Sequence, residues 1–221
     1  MLLMVMRLKK KINNKVAIVT GAGSGIGKAV ALGLAKEGID IYLAGRKKEK
    51  LLSTKQQSIK ENNRGSCHVI KCDVSEEIAV RKLFLLIQKQ YGRLDLLFNN
   101  AGIGIEANTI DKIKFKDWKT VIDTNINGMF LCAKYAYHLM KKQIPKGGRI
   151  INNGSISAST PRPGTAAYTT SKHAITGLTK SIALDGREDK ILCSQIDIGN
   201  AETAITQAFK KGIIQPNGKV L

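Results

Sequence analysis

The chain has 221 residues, of which 43% are hydrophobic and 24% are charged, so it suits a single folded domain and excludes a largely disordered protein. Its net charge of +19 is compatible with nucleic-acid binding, but the basic residues form short scattered clusters. The sequence shows neither the residue spacing of zinc ligands nor a basic tract interleaved with aromatic residues. We therefore expect no specific nucleic-acid partner.

Short apolar runs alternate with helical segments along the chain. The predicted strands cover residues 16–20, 39–44, 67–71, 94–98, 148–152 and 191–196. The predicted helices cover residues 26–36, 47–61, 75–91 (capped by Ser75 to Glu77), 117–142, 165–184 and 202–211. This alternation predicts one α/β domain over residues 14–221, a doubly wound parallel sheet with helices on both faces in three layers, preceded by an N-terminal extension at 1–13.

A glycine-rich turn follows the first predicted strand, with Gly21, Gly25 and Gly27 in the spacing G-x-x-x-G-x-G. Glycines allow a tight turn and a close approach of the backbone to a pyrophosphate, and the next helix offers its N-terminal amides to the phosphates. Ser24 and Ile26, between the glycines, belong to the same candidate cofactor site. An ordinary glycine turn is the alternative. The place of this motif after the first strand of an alternating pattern favours a dinucleotide-binding site instead.

The residues that end the second predicted strand bear on the choice of cofactor. An acidic residue there would bind the ribose hydroxyls of NAD, but this chain has Gly45 followed by Arg46. A guanidinium suits a 2′-phosphate, so NADP(H) is favoured over NAD(H). An ordinary basic helix start remains the alternative.

Tyr168 and Lys172 are four residues apart at the start of a predicted helix and share one face. A nearby ammonium would lower the pKa of the phenol from about 10 and make it a usable general acid or base. Ser155, at the end of the fifth predicted strand, could hydrogen-bond a substrate carbonyl beside Tyr168. Ser157 and Ser159 could do the same, and a lone Tyr-x-x-x-Lys also arises by chance.

Taken together, these motifs resemble those of the classical short-chain dehydrogenase/reductase family. Three further matches are Asn99-Asn100-Ala101-Gly102 after strand four, Asn125 in the long helix, and Asp73-Val74 after strand three. The similarity runs from about residue 14 to about 217 and implies a Rossmann fold.

The resemblance implies that four residues are catalytic. Ser155 would orient the substrate carbonyl, and Tyr168 would donate the proton as a hydride reaches the carbonyl carbon. Lys172 would hold the nicotinamide ribose and support Tyr168, and Asn125 would anchor a water that links Lys172 to solvent. Tyr168 and Lys172 would thus also contact the cofactor.

The remaining cofactor contacts implied by the resemblance lie at the other strand ends. Asp73 and Val74 would hold the adenine, and the cleft would be lined by Asn100, Ala101 and Gly102. Ile198 stands where the family often has proline, but its backbone would still meet the carboxamide, as would Thr203.

A second departure is the end of the chain at Leu221, where the family usually continues through a substrate-covering segment and a seventh strand. We therefore expect the C-terminal strand to be missing.

The four cysteines form no C-x-x-C pair and are expected to be reduced, and the histidines lack metal-ligand spacing. Neither a secretory signal nor a membrane span is recognisable, which favours the cytoplasm.

The favoured hypothesis is that the protein is an oxidoreductase that transfers a hydride between NADP(H) and a carbonyl or secondary alcohol. We expect it to act as a homodimer or homotetramer. The alternative is a catalytically silent NADP(H)-binding regulatory protein of the same fold. A serine hydrolase is disfavoured because neither Ser155 nor Ser24 lies in G-x-S-x-G.

Overall fold

In the computed structural model, which describes residues 15–199 and 201, six strands pair in parallel into one sheet with the order β3-β2-β1-β4-β5-β6. The strands are β1 (Val16–Thr20), β2 (Asp40–Gly45), β3 (Cys67–Lys71), β4 (Leu96–Asn99), β5 (Gly148–Asn153) and β6 (Ile191–Ile196). The order reverses between β1 and β4, which places a ligand crevice at the carboxyl ends of these strands.

Helices connect the strands and cover both faces of the sheet. They are α1 (Gly25–Lys36), α2 (Lys48–Lys60), α3 (Glu77–Tyr91), α4 (Phe115–Ile122), α5 (Gly128–Lys142) and α6 (Ala166–Asp185), with a π-helical turn (Asp123–Asn127) between α4 and α5. Two short 3-10 turns are Ile110–Lys112 and Ile156–Ala158. Among these described residues, no helix has both the length and the apolar character that a bilayer crossing needs.

The apolar side chains of each inner strand alternate between two cores, one on each face of the sheet. In β2, Tyr42 packs in the core that α3 and α5 cover, whereas Ile41 and Leu43 pack in the core that α1 and α2 cover. All five residues of β1 are buried, because this strand has neighbours on both sides and helices on both faces. The three-layer, doubly wound fold expected from the sequence is confirmed.

Most predicted elements are present within about two residues of their expected bounds, and two differ in detail. Helix α3 begins at Glu77 with Glu76 as its N-cap residue, because the Ser75 hydroxyl instead donates to Asp73 Oδ1 at 2.8 Å. The helix expected at 117–142 is interrupted by the π-helical turn. The extension at 1–13, the helix expected at 202–211 and Thr203 lie outside the described residues.

Candidate active site

Two glycines in and after the turn that follows β1 occupy positions with no room for a side chain. Gly21 has a φ of +67°, and a Cβ there would lie 2.8 Å from Asn100 Nδ2 and 3.2 Å from the Ala101 Cα. A Cβ on Gly27 would lie 2.4 Å from the Gly21 carbonyl oxygen. The turn, the first residues of α1 and the loop after β4 therefore approach one another at backbone distance, which is the geometry that a pyrophosphate cradle requires.

The N-terminus of α1 lies directly after the glycine turn. Ser24 is the N-cap residue, but its side chain makes no capping hydrogen bond and is exposed. The first turn of the helix carries no acidic residue. Gly25 has a φ of +52°, and Ile26 packs against the core below. Amides and a positive dipole end in this arrangement suit a phosphate group.

A cleft opens at the carboxyl ends of β1 to β4, where the strand order reverses. Its lining consists of Gly21, Gly45, Arg46, Cys72, Asp73, Val74, Ala101, Gly102, Ile103 and Thr124. Six of these ten are candidate cofactor residues from the sequence. Sequence reasoning missed Cys72, Ile103 and Thr124, although each is the chain neighbour of a residue that it had singled out.

Two lining residues show how the cleft is shaped. Asp73 Oδ1 accepts hydrogen bonds from the amide and the hydroxyl of Ser75, at 3.1 and 2.8 Å. Val74 is buried against α5, where a Cβ on Gly128 would lie 2.6 Å from Val74 Cγ2. The loop after β3 is therefore fixed on both sides. Arg46 is exposed at the opposite wall and follows Gly45 directly.

Hydrogen bonds between strand ends hold the loop that contains Asn100, Ala101 and Gly102. Thr20 Oγ1 accepts from the amides of Asn100 and Ala101 at 2.8 and 2.9 Å, and Asn100 Nδ2 donates to the Thr20 carbonyl at 2.8 Å. Asn153 Nδ2 donates to Asn100 Oδ1 at 2.7 Å. Sequence reasoning missed the positioning roles of Thr20 and Asn153, whose only signal was their place at the carboxyl ends of strands.

Lys172 is buried on α6, with only 4% of its surface exposed. Its Nζ donates to the Asn153 carbonyl at 2.7 Å and lies 5.5 Å from the centre of the Tyr168 ring. Burial lowers the pKa of Lys172 to about 8, against the opposing attraction of the Asp197 carboxylate. The ammonium can therefore exchange its proton near neutral pH.

Tyr168 faces the same region, but its ionisation differs from the sequence-based expectation. Burial raises the pKa of its phenol, while a hydrogen bond from Ser155 and the charge of Arg162 act in the opposite direction. The net direction is opposite to the lowering expected from the sequence, because burial outweighs these two effects. In this state Tyr168 is a protonated phenol, suited to donate a proton.

Ser155 is the serine that the structure brings to Tyr168. Its Oγ accepts a hydrogen bond from the Ser157 amide at 3.1 Å, which leaves the hydroxyl hydrogen free to point away from that amide. The Ser155 side chain also makes a hydrogen bond with Tyr168. The hydroxyl of Ser159 donates to the Ile156 carbonyl at 3.1 Å instead. Among the three candidate serines, Ser155 therefore has the geometry to act beside the phenol.

Asn125 lies fully buried in the π-helical turn, where its side chain makes hydrogen bonds within the protein. Its Nδ2 donates to the Ile103 carbonyl at 2.9 Å and to Ser171 Oγ at 3.0 Å, and its Oδ1 accepts the Ile103 amide at 2.8 Å. Both amide protons are thus used within the protein. A water bound here would have to donate to an oxygen of Asn125, and the side chain itself fixes the loop after Gly102.

The segment after β6 runs beside the residues that follow β5. The Ile198 carbonyl accepts the amide of Ile156 at 3.4 Å, which places Ile198 beside the 3-10 turn that follows Ser155. Thr203 lies outside the described residues. In the part of the chain that the structure describes, no cluster of three or more histidine, cysteine, aspartate or glutamate side chains could hold a metal ion.

Comparisons with known proteins agree with this geometry. The family model described as short chain dehydrogenase matches residues 15–213. A 3beta-hydroxysteroid dehydrogenase of Mediterraneibacter gnavus is 40% identical over 197 residues, which cover 89% of this chain and 70% of that protein.

Two similar solved structures differ in the cofactor that they contain. A variant of actinorhodin polyketide ketoreductase with NADPH has a TM-score of 0.83 at 28% identity, covering 90% of this chain and 75% of that one. A short chain dehydrogenase/reductase of Burkholderia phymatum with NAD has a TM-score of 0.82 at 28% identity, covering 90% of this chain and 70% of that one. None of these findings supports a catalytically silent regulator. The chain belongs to the short-chain dehydrogenase/reductase family and is an NAD(P)-dependent oxidoreductase that acts on alcohols.

Proposed function

We propose that this protein transfers a hydride between NADP(H) and a carbonyl or secondary alcohol, with Ser155, Tyr168 and Lys172 as its catalytic residues. The observation that carries the proposal is the convergence of three groups at one end of the sheet. A buried ammonium and a phenol share one face of α6, and the phenol is hydrogen-bonded to Ser155 at the end of β5. Proton transfer needs such a positioned acid.

The cofactor would be held by the glycine turn, the N-terminus of α1 and the cleft beyond it. Ser24, Gly25 and Ile26 would offer their backbone to the phosphates, and Asp73 and Val74 would contact the adenine. When bound, NADP(H) supplies the hydride for reduction, or accepts it in oxidation. Asn100, Ala101 and Gly102 would line the cleft, and Ile198 and Thr203 would meet the carboxamide.

Preference for NADP(H) is supported by the exposed Arg46 after Gly45, at the position where an acidic residue would bind the ribose hydroxyls of NAD. A guanidinium can form two parallel hydrogen bonds to a 2′-phosphate, whereas a carboxylate there would repel it. Related structures contain either cofactor, so Arg46 is the feature of this chain that favours NADP(H).

In the reductive direction, Tyr168 would give its phenol proton to the substrate oxygen while the carbonyl carbon accepts the hydride. Ser155 would donate a hydrogen bond to the same oxygen and fix its position. The nearby ammonium of Lys172 would stabilise the resulting phenolate and, with a pKa of about 8, help to return a proton to it. Asn125 would hold the loop at Ile103 in place and bind the water that connects Lys172 with solvent.

The setting that we propose is a cytoplasmic homo-oligomer. All four cysteines are free thiols, which accords with a reducing compartment. Phe115 at the start of α4 is 77% exposed and Phe130 in α5 is 48% exposed, so these two helices offer apolar surface for contact with a second copy.

The test is a comparison of Tyr168→Phe with wild-type protein and with Tyr135→Phe, a control whose hydroxyl contacts Glu77 on the surface. We expect all three proteins to bind NADPH, as followed by its fluorescence. Wild type and Tyr135→Phe should oxidise NADPH with a panel of ketones, and Tyr168→Phe should lose at least about 100-fold in kcat, as expected for loss of a general acid. Equal turnover by Tyr168→Phe would contradict the proposal.

A further inference from the structure

The amide of Ser155 has an unusual partner. Beyond the ends of β5 and β6, the two segments that follow these strands continue side by side. The Gly154 amide donates to the Ile196 carbonyl at 2.9 Å, and the Ile156 amide donates to the Ile198 carbonyl at 3.4 Å. Between these two backbone hydrogen bonds, the Ser155 amide donates to Asp197 Oδ1 at 3.0 Å. A side-chain carboxylate thus holds the backbone of the catalytic serine.

Space for this carboxylate depends on the residue before Ser155. A Cβ on Gly154 would lie 2.1 Å from Asp197 Oδ1, so any larger residue at 154 would displace the carboxylate. The same oxygen accepts a hydrogen bond from Gln195 Nε2 at 2.6 Å, and Gln195 Nε2 also donates to Thr176 Oγ1 on α6 at 3.1 Å. Asp197 therefore connects the Ser155 backbone with the helix that carries Tyr168 and Lys172.

Neighbouring residues make such an anchor useful. Ile198 stands where the resemblance leads one to expect proline, so the backbone after Asp197 lacks the fixed φ that a proline ring would impose. The hydrogen bond from Ser155 to the carboxylate restrains that segment from its other side. Since Ser155 Oγ accepts the Ser157 amide, the orientation of the Ser155 backbone also decides where its hydroxyl hydrogen can be directed.

We propose that Asp197 is a positioning residue, whose carboxylate fixes the backbone of Ser155 and holds its hydroxyl in line with Tyr168. This inference rests on the proposed catalytic role of Ser155. Asp197 itself contacts no reacting atom in this proposal. A misplacement of about 1 Å in a catalytic group can cost about 100-fold in rate, so loss of the anchor should appear in kcat rather than in cofactor binding.

The charge of Asp197 gives the proposal a second readout. The exposed Asp197 carboxylate acts electrostatically on the buried Lys172 ammonium from the end of β6. Tyr168 lies beside this ammonium on the same helix, and Arg162 acts on Tyr168 from the loop before α6. The carboxylate holds the pKa of Lys172 higher than burial alone would leave it. Removal of the negative charge should therefore lower that pKa further and shift the pH dependence of kcat towards lower pH.

The experiment uses Asp197→Ala and Asp197→Asn, with the exposed Asp111→Asn as a control for loss of one surface charge. Asp197→Ala removes both the acceptor and the charge, and we expect kcat to fall about 10- to 100-fold with an unchanged Kd for NADPH. Asp197→Asn keeps an oxygen acceptor, so its kcat should stay within about 3-fold of wild type by the same reasoning, with the pH profile moved to lower pH. Asp111→Asn should match wild type in both readouts.

Each outcome separates this inference from the proposed function. If Ser155→Ala keeps wild-type turnover, the proposed role of Ser155 is wrong. If Ser155→Ala is inactive while Asp197→Ala retains both the kcat and the pH profile of wild type, only the inference on Asp197 is overturned. It is also overturned if Asp197→Asn loses as much kcat as Asp197→Ala and keeps the wild-type pH profile. Should Asp197→Ala fail to fold, the pH profile of Asp197→Asn decides alone.

Discussion

Replacement of Lys172 by methionine should make the cofactor-free protein more stable while it abolishes turnover. The Lys172 side chain is 4% exposed, and burial lowers its pKa from 10.5 to about 8. At about 1.4 kcal/mol per pKa unit, the protonated form is disfavoured in the folded state by about 3–4 kcal/mol. Loss of the Nζ hydrogen bond to the Asn153 carbonyl would offset about 1 kcal/mol of this. We therefore expect Lys172→Met to raise the free energy of unfolding by about 2–3 kcal/mol at pH 7.

The pH dependence of unfolding gives the same prediction a sign. Because the folded pKa of Lys172 lies below its unfolded value, the unfolded chain holds a proton between about pH 8 and pH 10.5 that the folded chain has released. The Lys172 contribution to stability therefore rises as the pH rises through that window, and its full cost is present below about pH 8. Several buried cysteines and tyrosines contribute the opposite slope at high pH, so the useful quantity is the difference between wild type and variant.

Urea unfolding of the cofactor-free proteins at a series of pH values between 7 and 10 measures this difference, with Lys180→Met as a control on the exposed side of the same helix. The stability advantage of Lys172→Met should shrink as the pH rises, whereas the effect of Lys180→Met should stay small and nearly constant. An advantage that is absent at pH 7, or that does not change with pH, would refute the assignment of a destabilising buried ammonium.

Two further predictions concern the cofactor cleft. Gly27→Ala should lower the free energy of unfolding by about 1–3 kcal/mol and weaken NADPH binding, because its Cβ would lie 2.4 Å from the Gly21 carbonyl oxygen. The control is Gly33→Ala, at a position with open space on the same helix, which should instead raise the free energy of unfolding by about 0.5–1 kcal/mol. Thermal unfolding of the two variants measures both changes. Arg46→Asp should lower the ratio of kcat/KM for NADPH to kcat/KM for NADH by at least about tenfold, since one charge-assisted hydrogen bond contributes about 1.5–3 kcal/mol. An unchanged ratio would show that Arg46 has no part in the choice of cofactor.

The sheet and its helices could be predicted because their causes are local. Alternation of β-branched runs with helical segments sets the element order, and the glycine turn after β1 marks the end of the sheet where a ligand binds. Those signals need only a short window of sequence. They also placed Ser155 and Tyr168 at the correct ends of their elements.

What the sequence could not reveal depends on contacts between residues far apart along the chain. Thr20 and Asn100 are 80 residues apart, and Ser155 and Asp197 are 42 apart, so no short pattern joins them. The π-helical turn at Asn125 is of the same kind, because its side chain is fixed by Ile103, 22 residues earlier, and by Ser171 on α6. The expected net lowering of the Tyr168 pKa was wrong because residue spacing does not reveal the burial that raises it.

One chain of hydrogen bonds joins the two halves of the site. Lys172 Nζ donates to the Asn153 carbonyl, Asn153 Nδ2 donates to Asn100 Oδ1, and Asn100 Nδ2 donates to the Thr20 carbonyl beside the glycine turn. The residue that bears the buried charge is therefore tied through two asparagines to the loop against which Gly21 and Gly27 pack. Since buried hydrogen bonds of this kind constrain geometry strongly, a shift of the glycine turn would move the ammonium as well. In the proposed function, cofactor binding and proton transfer would thus depend on one network of hydrogen bonds, with the buried lysine at its end.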